Sequence, residues 1–350
     1  MEHAYVNARV KSMKSALLGK ESMESIISKP DLESLIAELH KTTYGEELEK
    51  ASVRYSGISL LDIALRNHMV RVSRKILEMA GREEEDWHLR FLMTRWDLHN
   101  VKTILRGKNI ATSPEEILAC IVPAGELDEA ACIELIRQPD IKATIDLLAT
   151  WGIDLSRPLT RHFSRYLESR DMSTLEYALD RFYYENAIAR LKKGESTDDE
   201  ILLDFLGAEV DTINVKTVLR AVRDRLRPEN LAELLIRGGK ILTQEKLLAM
   251  AASPSLEVAV KQLAGTIYSS LIGTGERSSS EGRISEFEKE LERLLMKRAI
   301  GLFLKDPLSI AIPLAYLWAK EIEFRNIRLI GRAKLEDIPE KELREALIRV

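Results

Sequence analysis

A thirteen-residue stretch constrains this chain more than any other feature, because it recurs. Trp96 to Lys108 reads WDLHNVKTILRGK, Val210 onward reads VDTINVKTVLRAV, and Ile322 onward reads IEFRNIRLIGRAK. Aligned on Asn100, Asn214 and Asn326, each copy has an acid three positions earlier: Asp97, Asp211 and Glu323. Two positions later comes a base (Lys102, Lys216, Arg328), and six later an arginine (Arg106, Arg220, Arg332). A second element lies upstream. Asp62 in LLDIAL, Glu176 in TLEYAL and Glu288 in EFEKEL each precede their asparagine by 38 positions. A looser marker is a proline after an apolar run: Pro30, Pro139 and Pro254. The asparagines are 114 and 112 residues apart, a period far longer than the roughly 34–47 residues of helical solenoid repeats. The expectation is three related domains, 1–118, 119–232 and 233–350.

On a helix of about 100° per residue, the apolar positions of the repeat fall on one broad arc. The asparagine and the acid lie inside that arc. Buried polar groups left without hydrogen bonds cost roughly 1–3 kcal/mol each. The pairs Asp97–Asn100, Asp211–Asn214 and Glu323–Asn326 are therefore read as locks between helices, with a ligand contact as the other reading. The bases fall on the opposite side. Arg95, His99, Lys102 and Arg106 form one stripe, Lys216, Arg220, Arg223 and Arg227 a second, and Arg325, Arg328 and Arg332 a third. Such a stripe is either a solvated face or a surface for an acidic partner.

No segment alternates with period two, so the fold class is all-α. Residues 4 to 28 read as one amphipathic helix. Pro30 opens the next, and Tyr44-Gly45 ends it. Leu60–Met79 and Glu84–Arg106 pair as a hairpin with Gly81 at the turn, and Glu83 to Asp86 make a solvated helix start. Pro123-Ala124-Gly125 is a turn whose counterpart is Arg237-Gly238-Gly239-Lys240. A long helix covers about Pro158 to Lys193, Thr197 or Asp198 caps the next, and Gly273 to Gly282 looks disordered.

The composition excludes several functions. With 52 basic and 56 acidic residues the net charge is −4, so there is no global basic field for nucleic acid. Two cysteines, Cys120 and Cys132, make neither a disulfide framework nor a metal pair and suit a reducing compartment. The N-terminal stretch MEHAYVNARVKSMK is too polar for a signal peptide. The longest apolar run, Leu308 to Ala319, contains Pro313 and is short of the roughly 20 residues a bilayer span needs. The six histidines show no metal-ligand spacing, and no nucleophile elbow occurs. The GTG at Gly273 follows a helix and lacks a phosphate-loop lysine. No catalytic residue, cofactor, metal or small-molecule substrate is expected.

Several segments together resemble a known family. YVNARVKSM with Leu17-Leu18, LHKTTYG, WDLHNVKTILRGK with its Pro-Ala-Gly turn, LEYALDRFYYENAIARL and KEIEFRNIRLIGRAK are similar to the C subunit of archaeal and bacterial A/V-type ATP synthases. The d subunit of the eukaryotic vacuolar ATPase is a relative. The departures are Glu323 for aspartate, Arg328 for lysine, and Val222 where Lys108 and Lys334 stand. The resemblance implies three helical bundles with pseudo-threefold symmetry, forming a funnel. One end would sit on the proteolipid ring of the membrane sector, and the other would hold the foot of the shaft made by the D and F subunits. It implies a non-catalytic rotor adapter, peripheral on the cytoplasmic face. On its residues alone the chain could also be a stand-alone helical interaction scaffold. A nucleic-acid binder is disfavoured because aromatics are not interleaved with the bases.

Overall fold

Polar caps and broken turns, more than hydrophobic periodicity, set the helix boundaries in the computed structural model, which describes residues 4–80, 87–226, 231–278 and 284–348. The first expected helix is two, α1 (Ala4–Lys14) and α2 (Lys20–Ile27), divided by a turn at Ser15 to Leu17 and an extended Gly19. Helix α3 (Leu32–Leu39) starts at an N-cap, Asp31, whose carboxylate accepts from Ser34 N. Helix α4 (Gly45–Ser52) precedes the long α5 (Gly57–Ala80). Helix α6 (Trp87–Asn109) carries the first repeat motif. The turn at Gly81 and the acids Glu83 to Asp86 lie outside the described residues.

The chain continues with α7 (Pro114–Cys120), α8 (Glu129–Arg137) and α9 (Ile141–Thr150). The single long helix expected to follow is interrupted. Helix α10 (Ser156–Ser169) ends at Arg170, which is left-handed at φ 56°, and α11 (Ser173–Leu191) starts afresh. Helix α12 (Thr197–Arg223) carries the second motif. Its cap is Ser196 and not Thr197 or Asp198, because Ser196 and Asp199 satisfy each other's backbone amides as a capping box. Then come α13 (Gln244–Ala251), α14 (Leu256–Lys261), α15 (Ser270–Ser278) and α16 (Ile284–Gly301). Part of the disordered-looking Gly-Ser stretch is therefore helical, and the rest lies outside the described residues. A 3-10 turn (Leu302–Leu304) leads to α17 (Ala311–Leu335), which carries the third motif, and to α18 (Glu340–Ala346). All regular structure among the described residues is helical.

The proline markers share one cause. Each stands just before an N-cap: Asp31 after Pro30, Asp140 after Pro139, Ser255 after Pro254. Proline restricts the residue before it to extended conformations, which stops the preceding helix. The cap then starts the next one. Pro30 thus precedes the cap and is not the first helical residue. The motif helices also end alike. Ala111, Arg225 and Asp337, each eleven positions after its asparagine, are left-handed at φ 54°, 54° and 52°. Thr112, Leu226 and Ile338 then donate back to the carbonyls of Gly107, Ala221 and Ala333.

The described residues gather into two compact units: Met1–Leu175 with Leu302–Leu347, and Glu176–Gly301 with Ile348–Val350. In the first, α17 packs on α1, α3 and α5, while α6 packs on α7, α8 and α9 as well as α5. Leu35, Leu39, Leu61, Leu65, Ile327 and Ile330 share one core. In the second, α12 packs on α13, α14 and α16, around Val218, Leu219, Met250, Tyr268, Phe287 and Leu291. Each motif helix thus packs against helices that follow it in the repeat order. For the last one, the helices that follow are those at the start of the chain. The hairpin of α5 with α6 exists, but the more extensive partner of α5 is α17.

Candidate functional site

The three motifs build one recurring polar node, and the node holds a neighbouring connection in place. Asn100 is buried. Its Nδ2 donates to Val122 O at 2.8 Å and its Oδ1 accepts from Val122 N at 2.7 Å. Asn214 does the same to Ile236, at 2.8 and 2.9 Å. An asparagine side chain presents one donor and one acceptor in the geometry of a peptide group, so it matches a single residue of extended backbone on both counts. Asn326 is buried too.

The acid one turn earlier grips the next few residues of the same connection. Asp97 accepts from Glu126 N and Leu127 N, both at 2.8 Å. Asp211 accepts from Ile241 N at 2.9 Å, Leu242 N at 3.2 Å and the Tyr268 hydroxyl at 3.2 Å. Burial pushes the Asp97 carboxyl up to about 6, while the amides of Glu126 and Leu127 pull the other way. Asp211 is raised for the same reason. The glycines of the two turns are required by this approach. A Cβ on Gly125 would lie 2.3 Å from the Asp97 oxygens, and one on Gly239 would lie 2.2 Å from Asp211 Oδ1. Gly125→Ala is expected to cost about 1–3 kcal/mol, as overpacking does. Gly19→Ala, where nothing lies within 4 Å and the N-cap of α2 alone is altered, should cost less, under about 1 kcal/mol by the urea midpoint. Equal midpoints for both variants would show that the carboxylate moves aside freely.

The third node joins the two ends of the chain. Glu323 accepts from Leu18 N at 2.5 Å and from the Tyr44 hydroxyl at 2.7 Å. Lys320, 2% exposed, donates to the same carboxylate at 2.5 Å and lies 4.3 Å over the Tyr44 ring. The His68 ring also lies against Tyr44, tilted, with ring centroids 4.2 Å apart. Burial, reinforced by the charges of Lys320 and Arg71, holds His68 far below its usual range, so it is neutral. Burial lowers the Lys320 ammonium and the Glu323 charge opposes that. Burial, then Glu323, drives the Tyr44 phenol well above its ordinary value.

The bases reach acids of another repeat. Arg328 and Arg332 each meet Asp62, at 3.0 Å. Lys216 meets Glu292 and Arg220 meets Glu288, both at 2.7 Å. The acid that recurs 38 positions upstream therefore pairs, at Asp62 and Glu288, with bases of the preceding repeat in cyclic order. Lys102 is half-buried and Arg106 exposed. Arg95 holds Glu321 at 3.4 Å and covers the Trp318 ring at 4.1 Å, tying α6 to α17. His99 Nε2 donates to Cys120 O at 3.1 Å. Lys108 donates to the carbonyls of Ile136 and Gln138, and Lys334 to Ile27 O at 2.7 Å. Both lysines tie off the chain just ahead of a proline marker. Val222, at the equivalent place, packs into an apolar core instead.

Sequence reading missed Leu18, Tyr44, Tyr268 and Lys320. A Thr-x-Tyr signature would have found the tyrosines: Thr42 and Thr266 hydroxyls accept from the amides of Tyr44 and Tyr268. Lys320 directly follows the apolar run that ends at Ala319, at a position where the other motifs have Thr94 and Ala208.

Among the described residues no three His, Cys, Asp or Glu side chains gather as a metal site requires, and no helix is long and apolar enough to cross a membrane. The recurrent polar residues are engaged in holding helices and connections to one another, which defines an internally repeated, all-helical structural protein. The profile of the ATP synthase (C/AC39) subunit family matches residues 6–346. The chain is 30% identical to the C subunit of the A-type ATP synthase of Archaeoglobus fulgidus, over 99% of this chain and 96% of the relative. It is 24% identical to that of Methanocaldococcus jannaschii, covering 99% and 86%, and 27% identical to that of Methanococcoides burtonii, covering 99% and 94%. The chain belongs to the ATP synthase (C/AC39) subunit family, that of the A/V-type ATP synthase C subunits, and is a non-catalytic subunit of a rotary ATP synthase.

Proposed function

We propose that the chain is the rotor adapter of an A/V-type ATP synthase, linking the shaft of the D and F subunits to the proteolipid ring and passing torque between them. In this reading the repeats 1–118, 119–232 and 233–350 form three related bundles around a pseudo-threefold axis, shaped as a funnel. It sits peripherally on the cytoplasmic face, held through the membrane sector. The observation that carries the reading is the node at Glu323, which takes Leu18 and Tyr44 as Asp97 takes Glu126 and Leu127. A body under torque yields first at a loose end. Here the last motif helix is seated among the first helices, so the repeat closes on itself.

The basic stripe Lys102, Arg106, Lys216, Arg220, Arg328 and Arg332 supplies a candidate contact with acidic shaft or ring loops. Arg220 and Arg332 hold internal acids yet remain 54% and 47% exposed, so part of each guanidinium faces outward. The test is size exclusion of the purified chain with a co-expressed D–F pair. A stable one-to-one-to-one complex is expected, weakened by Arg106→Gln, Arg220→Gln and Arg332→Gln together. Glutamine is preferable to glutamate there, because a new carboxylate would repel Asp62 and Glu288. A folded chain that never enters the complex would sink the shaft contact and favour the stand-alone scaffold.

A further inference from the structure

The outer side of α1 and the segment before α17 form a face that is basic and apolar at once. Helix α1 carries Arg9, Lys11 and Lys14 and no acid. Its inner side is fixed. Val6 and Val10 are buried, and Asn7 Nδ2 donates to the carbonyls of Pro307 and Ser309 at 2.8 and 2.9 Å. Lys14 Nζ lies 4.0 Å over the Phe303 ring. The helix and the segment are thus stitched together. On these two stitched elements Tyr5, Leu304 and Leu308 are 64%, 92% and 44% exposed, and Arg9, Lys11 and Lys305 are exposed as well.

The repeat does not require these leucines. The equivalent connection ahead of α12 reads Lys192-Lys193-Gly194-Glu195-Ser196, which is wholly polar. Leu302 is buried and anchors the turn, whereas Leu304 packs on nothing that would explain it. The one acid of the segment, Asp306, receives the Leu308 amide at 2.9 Å. Glu2 lies outside the described residues.

We propose that this face seats directly on a membrane surface rich in anionic headgroups, with Leu304, Leu308 and Tyr5 entering the interface and the cations meeting phosphates. Tyrosine favours that boundary, and an exposed leucine gains by leaving water there. Arg9, Lys11, Lys14 and Lys305 outnumber the one acid of the segment, Asp306, and this excess of positive charge selects an anionic surface over a neutral one, at about fivefold in affinity per cation. The proposal goes beyond the adapter reading, which needs protein partners alone. Adsorption here requires no other subunit.

The test is co-sedimentation of the purified full chain with vesicles of phosphatidylcholine alone, or of phosphatidylcholine mixed equally with phosphatidylglycerol. Adsorption is expected to the mixed vesicles only, and salt should weaken it. Leu304→Ser with Leu308→Ser should weaken it about tenfold or more. Arg9→Gln with Lys11→Gln should weaken it about twentyfold. All four sites are exposed, and an unchanged urea midpoint checks that the variants fold. No adsorption of the unmodified chain overturns the proposal, as does adsorption indifferent to both pairs. Loss of D–F binding in the leucine variants without vesicle adsorption would assign the face to a protein partner and overturn it too. Failure to bind D–F with vesicle adsorption intact would count against the adapter reading alone.

Discussion

Asn214→Ala is expected to lower the stability of the chain by about 2–5 kcal/mol, a large effect for a single substitution. The truncation removes both bonds to Ile236. It leaves an N–H and a C=O of the buried Ile236 without their side-chain partner, each costing roughly 1–3 kcal/mol. It also leaves a small cavity beside residues that are themselves fully buried, Val215 and Val218. Asn214→Asp does not rescue. It keeps the acceptor for Ile236 N but sets an oxygen against Ile236 O and buries a charge. Urea denaturation of the purified chain gives the comparison, with Lys142→Ala as a control. Lys142 and Asp146 form an exposed pair, of the kind worth about 0–1 kcal/mol. An Asn214→Ala midpoint as close to wild type as that of Lys142→Ala would mean that the clamp is ornamental and the apolar packing alone fixes the connection.

The helical class and the inward direction of the asparagines and acids were legible because both rest on local periodicity. The burial of Asn100, Asn214, Asp97 and Asp211 follows from their place on the apolar arc. The turn counterparts, Pro123 to Gly125 and Arg237 to Lys240, could be matched because their glycines stand at the same distance from the acids they clear. What the sequence hid was partnership. Spacing along the chain tied Asp62 to Asn100, yet Asp62 pairs with Arg328 and Arg332, because packing joins helices of successive repeats. One-dimensional spacing is the same whether the acid meets its own repeat or the previous one. The left-handed ends at Ala111, Arg225 and Asp337 were invisible for a different reason. Three chemically unrelated residues occupy one backbone state, at a strain of about 1–2 kcal/mol each, and none is the glycine that would have signalled it. The division of the long helix at Arg170 was missed for the same reason.

Lys320→Met is expected to destabilise the chain by about 3–5 kcal/mol, because it leaves Glu323 as a buried charge that has lost its counter-ion. Leu18 N and the Tyr44 hydroxyl still donate to that carboxylate, which softens the loss without neutralising the charge. His68 cannot take over. It is neutral and its ring lies against Tyr44. Arg71 is engaged by Glu47 at 2.8 Å and by the His68 ring at 3.1 Å. Adding Glu323→Gln removes the stranded charge and keeps an acceptor for one of the two remaining donors. The double variant should therefore be more stable than Lys320→Met alone, with an interaction energy of about 1–3 kcal/mol in the double-mutant cycle. The loss also has a place. Leu18 sits in the connection between α1 and α2, so Lys320→Met should make that connection more open to protease while the Asn214 region keeps its protection. Additive effects of Lys320→Met and Glu323→Gln, or cleavage spread evenly along the chain, would mean that the pair is not what joins the two ends. The outcome bears on function because Asp97 and Asp211 need no lysine. Of the three nodes, the one at Glu323, which joins segments distant along the chain, brings an acid and a base into the core together.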